Sequence, residues 1–259
     1  MNQEFAVIGF LNSARRGSPL LWRVSSALLV GLLLCLALQT ADSRLIAGVS
    51  VWEKPTKFFL SLLVQAMTLA WAASLLQQPA RGVKAATWLF VAAVFIEMTY
   101  MVFRASRGEA SHFNVNTTFA AIMYPVMGVA ALFLVGTSAF VGWRVWQQRG
   151  TSLIREAAGF GLMLGALLGT LAGAYLSSFQ SHWIGGDMTD ATGVGFFHWS
   201  TTGGDLRVSH FIGLHAMQLV PIAALADKRS VVYAVSALIV LATLATFLLA
   251  TMGIPLFRS

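Results

Sequence analysis

LLWRVSSALLVGLLLCLALQT, residues 20–40, contains one charged side chain, Arg23, in a run of about twenty otherwise apolar or small polar residues. As a helix it would rise about 30 Å, enough to cross the hydrocarbon of a bilayer. Arg15 and Arg16 precede it, as basic residues precede a secretory signal, but the run is long for one and has no clean small-x-small cleavage site. It reads as a retained first span.

Outward from this stretch, comparable runs recur at 57–76, 83–103, 118–143, 157–179, 208–226 and 231–252. The chain is 57% hydrophobic and only 10% charged, beyond what a soluble core needs. The expectation is an all-α polytopic integral membrane protein with about seven transmembrane helices. Residues 1–19 form a cytoplasmic segment, amphipathic or disordered, and 20–259 the transmembrane domain with a polar outer loop at 180–207. The net charge of +7 comes from short loops between apolar runs, with no basic stripe, so it argues against nucleic acid. Cys35 stands alone, which excludes internal disulfides and cysteine-based zinc or iron–sulfur sites.

Alternate loops divide the 17 Lys and Arg residues ten to seven in favour of the N-terminal side. The positive-inside rule then puts the N-terminus in the cytoplasm and the C-terminus outside, in a bacterial inner membrane. The fourth span is expected to kink at Pro125. The fifth carries Gly161, Gly165, Gly169 and Gly173 at a four-residue period, one face on which another backbone can lie close. That face is expected to pack against a neighbouring helix, a membrane-protein partner or a second copy of the chain.

With this topology all five histidines, His112, His182, His198, His210 and His215, fall on the outer side. Glu97 is the most informative acid, because a carboxylate inside a span is costly unless it is protonated, paired or hydrated. Glu97, Met101 and Arg104 follow an i, i+4, i+7 stripe, so a Glu97–Arg104 pairing is one structural expectation. His210 and His215 are five residues apart, which on a regular helix separates them by about 140° in direction and ~7.5 Å in depth. They do not form a His-x-x-x-His pair.

These residues predict an outward-facing pocket floored by Glu97, His215 and Gln65 or Gln218 and rimmed by Arg104, His112, His198, Asp205 and Arg207. Three functions fit it. In the first, a transition metal (zinc, iron or copper) or haem is held by His112, His198, His210, His215 and Glu97, supported by Gln218, Arg104 and Arg207. Glu97 or Glu53 would then act as general base in hydrolysis, or the histidines would serve redox chemistry. In the second, Glu97 and His215 exchange protons in a transporter of a small anionic solute. In the third, the chain is a non-catalytic assembly subunit. Its helix count and outer histidines are similar to those of zinc-dependent seven-helix hydrolases of the alkaline-ceramidase and adiponectin-receptor kind. Their late His-x-x-x-His is missing here, so the resemblance covers architecture and no motif.

Overall fold

The computed structural model describes residues 3–78 and 80–258, and it is mostly helical. In chain order the helices are α1 (Gln3–Gly17), α2 (Pro19–Ala41), α3 (Glu53–Ser74), α4 (Val83–Ser106), α5 (Thr118–Gln147), α6 (Leu153–Phe179), α7 (Leu206–Leu214), α8 (Ala216–Ala223) and α9 (Arg229–Thr251). Two small antiparallel pairs interrupt them: β1 (Leu45–Ile46) with β2 (Val49–Ser50), and β3 (Trp183–Ile184) with β4 (Gly204–Asp205). Local chemistry sets several of the starts. Ser18 caps α2 by accepting from the Leu21 amide at 3.3 Å, with Pro19 at the first helical position. Thr117 caps α5 through the Ala120 amide at 3.1 Å, and Asp205 caps α7 through the Arg207 amide at 3.0 Å.

Six of these helices, α2 to α6 and α9, are long and apolar enough to cross a membrane. The α7–α8 pair, bent by 40°, makes a seventh if it counts as one span. Large apolar side chains such as Phe95, Leu171, Leu238 and Leu241 point outward, the pattern of helices solvated by lipid. The main core joins α1 to α6 and α8 through Ala14, Leu28, Ala66, Leu69, Phe90, Val145, Leu162 and Met217. A second cluster, including Ala157, Val220, Val232 and Ile239, fills the space between α6, α8 and α9. Residues 1–19, open between helix and disordered tail in sequence, contain a helix whose last turn docks on α3. Gly17 there lies so close to the Ala70 carbonyl and the Ser74 amide that no side chain would fit.

The sixth span departs from expectation. Instead of one helix over 208–226 there are α7, α8 and a 3₁₀ turn, Ala224–Ala226, with the break at His215. The His215 Nδ1 lies 2.8 Å from the Phe211 carbonyl, the same oxygen that its own backbone amide reaches at 3.2 Å. The ring thus shares that carbonyl with the helical ladder, and Pro221, six residues on, withholds an amide from it. At Pro125, by contrast, α5 continues as one helix of 30 residues.

The glycine face of α6 is filled within the chain, by the neighbouring helices α7 and α8, as its packing period implies. A Cβ at Gly161 would meet the Ala216 carbonyl at 2.8 Å, and one at Gly165 would meet Met217 Cγ at 2.5 Å. Gly169 abuts Leu214, and a Cβ at Gly173 would lie 2.9 Å from the His210 ring. The four glycines thus seat α7 and α8 along their length. Gly165→Leu should lower detergent-solubilised stability by about 1–3 kcal/mol, as overpacking does in cores, read as a drop of several degrees in thermal melting.

Candidate functional site

The β1–β2 hairpin, the β3–β4 pair and the long loop that joins β3 to β4 lie on one face of the bundle, here the loop face. Ala47 and Gly48 turn β1 into β2 with φ of 50° and 83°, the left-handed pair that a tight hairpin turn requires. The Ala47 carbonyl then accepts from the Asp190 amide at 2.9 Å and the Thr189 hydroxyl at 3.0 Å, tying the hairpin to the long loop.

Arg207 fastens that loop to α7. Its Nε donates to Asp205 Oδ1 at 2.9 Å, and its terminal nitrogen reaches Asp205 Oδ2 at 2.6 Å, Asp190 Oδ1 at 2.8 Å and the His198 carbonyl at 2.8 Å. Asp205 also accepts from the Ser200 amide at 3.0 Å. This guanidinium, expected at the rim as a cofactor contact, is spent on structure. Arg104 is likewise committed. It pairs with Glu109 at 2.6 Å and donates to the Ala110 carbonyl at 3.3 Å, so the expected Glu97–Arg104 pairing does not form.

The histidines are dispersed. His210 Nδ1 meets the Gly169 carbonyl at 2.9 Å and His215 Nδ1 meets that of Phe211; a carbonyl only accepts, so both rings carry their proton on Nδ1. His198, in the left-handed region at φ 52°, reaches Glu53 Oε1 at 3.5 Å, and Glu53 is also paired with Lys57 at 3.2 Å. His112 Nδ1 contacts the Ser111 hydroxyl at 3.0 Å, and His182 lies 3.4 Å from Asp190 while stacking on Trp183. Among the described residues no three His, Cys, Asp or Glu side chains group closely enough to hold a metal ion. His112, His198, His210, His215 and Glu97 therefore do not form the shared ligand set that their common side of the membrane implied. The glutamines are satisfied too. Gln218 donates to Thr68 at 3.0 Å, and Gln65 bonds Ser138 and reaches Met217 Sδ at 3.2 Å, so both knit α3 to its neighbours.

What remains open centres on Glu97. It is 1% exposed, and neither carboxylate oxygen has a hydrogen-bond partner among the described residues. Tyr100, one turn nearer the loop face on the same side of α4, is buried with its hydroxyl also unpartnered. The charge that Glu97 senses is that of Lys54 in the first turn of α3, yet no ion pair joins the two. The Lys54 ammonium sits 5.9 Å from the centre of the Phe113 ring. His112, whose ring is 5.9 Å from that of Phe58, senses the same lysine. Phe58 and Met123 pack on Tyr100, Met101 and Met127, giving the region an apolar wall. Phe113 at its rim has φ 57°, an unusual backbone state for a bulky residue and one that tends to collect at functional sites. No family model, no curated protein and no solved structure matches this chain. Its chemistry has to be read from these side chains.

Lys54 and Tyr100 are the members that sequence reasoning passed over. Lys54 has the look of an ordinary interface anchor, and Tyr100 carries no charge to mark it. Asp190 was equally unmarked, and its role depends on Arg207, seventeen residues away.

Burial, with the Lys54 charge adding to it, holds His112 well below the usual imidazole range, and burial also lowers His182 against the opposing pull of Asp190. The unfolded chain protonates these rings below about pH 6.5. Stability from their neutral burial is therefore complete above that value and lost as the pH falls below it. Burial pushes Asp190 up, but its bonds to His182 and Arg207 prevail and hold it at about 2. Its contribution is present above about pH 4 and disappears only as the pH falls further. Thermal melting should thus decline between about pH 6.5 and 5, and the paired substitution His112→Phe with His182→Phe should flatten that decline. Removing the Arg207 guanidinium strands two carboxylates, so Arg207→Met should cost about 3 kcal/mol and expose residues 185–200 to limited proteolysis.

Proposed function

We propose that this is a seven-span inner-membrane protein of a bacterium, with its N-terminus in the cytoplasm, and that its loop-face pocket opens outward to bind a small polar solute. Glu97 is the exchanging group, releasing a proton or a bound donor as the solute arrives. The observation that carries this reading is the carboxyl of Glu97, buried to 1% exposure with both oxygens unpartnered. An ionised carboxylate so placed is penalised by several kcal/mol, so a proton, a cationic group or a hydrogen-bond donor must complete it. Glu53 and Glu109 on this face make ion pairs with Lys57 and Arg104, and Glu97 makes none among the described residues.

Lys54 supports the choice of solute. An ammonium and a carboxyl that sense each other without touching can be bridged by a molecule carrying both an anionic and a donor group. The aromatic and methionine wall of Phe58, Phe113, Met101 and Met123 suits an apolar body between them. The ten-to-seven division of basic residues favours the outward opening. Further toward the N-terminal face, Gln65 bonds Ser138 and Gln218 bonds Thr68 within an Ala- and Leu-rich core.

Hydrophobic carbodiimides attack protonated carboxyl groups in apolar surroundings, and mass spectrometry locates the resulting adduct. With dicyclohexylcarbodiimide, Glu97 should be modified in preference to Glu53 and Glu109, and Glu97→Gln should lose the adduct. Modification of Glu109 with Glu97 untouched would remove the basis for an accessible exchanging group.

A further inference from the structure

On the opposite face, where α1 meets α2, a cleft of about 640 Å³ is lined by Asn12, Arg15, Arg16, Pro19, Trp22 and Arg23. Three guanidinium groups from two helices converge on it, all exposed, and none of the lining residues is acidic. Among the described residues none of the three makes an ion pair, whereas Arg44, Arg104, Arg207 and Arg229 do. Basic residues that only set topology need not meet in one place. Converging cations repel one another unless an anion lies between them.

The elbow that brings them together is anchored. Ala14 is fully buried, Gly17 is locked against Ala70 and Ser74 of α3, and Ser18 caps α2. The cleft is therefore formed before any ligand arrives, which spares the ordering cost of binding. Guanidinium groups match phosphate oxygens in bidentate geometry, and a half-buried indole such as Trp22 sits naturally at headgroup level. We infer that this cleft is a binding site for a phosphate-bearing anion, with the headgroup of an anionic phospholipid as its source. The site is separate from the Glu97 pocket and does not depend on the function proposed for it.

The test uses the full chain in nanodiscs of phosphatidylglycerol or phosphatidylcholine, and in phosphatidylcholine with added inorganic phosphate. Thermal melting and native mass spectrometry give the readouts. Phosphatidylglycerol should raise the melting temperature by several degrees over phosphatidylcholine and remain bound through mild activation. Both effects should weaken at high salt and vanish in R15Q/R16Q/R23Q. An equal rise from inorganic phosphate, also abolished in the triple variant, would uphold the phosphate chemistry and assign a soluble source. A triple variant that responds like the unmodified chain would overturn the site. Arg23→Gln alone, an exposed substitution that leaves the anchored elbow intact, should reduce the response, since one of three guanidinium groups is lost, and an unchanged response there would count equally against it.

Discussion

A single guanidinium governs the loop face. Arg207 draws Asp205, Asp190 and the His198 carbonyl to one point, and through them it joins the start of α7, the long loop and the β1–β2 hairpin. Near the membrane boundary such an arrangement is nearly obligatory, since a charge left unpaired there is expensive and a network that satisfies all its members is rigid. Glu53 in turn reaches His198, whose carbonyl Arg207 holds. The beginning of α3 is thereby referred to the same centre.

Glu97 and Tyr100 stand outside this network. Both are buried and both lack partners, in a region walled by rings and thioethers. The same contrast separates the two faces of the molecule. Carboxylates neutralise arginines on the loop face, while the arginines at the α1–α2 elbow have no acid beside them.

Much of the helical plan was legible because each span announces itself locally. Apolar length alone placed α2, α4 and α9 within a few residues, and the four-residue period of α6 identified a packing face. Glu97 stood out for the same reason, as a lone acid within an apolar run. What failed to read were relations between distant residues. Arg104 takes Glu109 instead of Glu97, Arg207 takes Asp190, and His210 takes a backbone carbonyl of α6. Five histidines on one side looked like a ligand set, but side of membrane is a coarse coordinate. The break at His215 was hidden as well, because no change in hydrophobic period marks it.

The glycine groove of α6 also bears on the order in which the chain is made. α1 to α6 can pack as they emerge, since their main core is complete but for Met217. The groove that receives Ala216, Met217, Leu214 and His210 cannot close until residues beyond 206 have left the ribosome. Throughout synthesis of the long loop, four glycines and their backbone face lipid with nothing seated on them. A nascent chain stalled in that interval has α1 to α6 and a glycine face that has yet to receive α7 and α8.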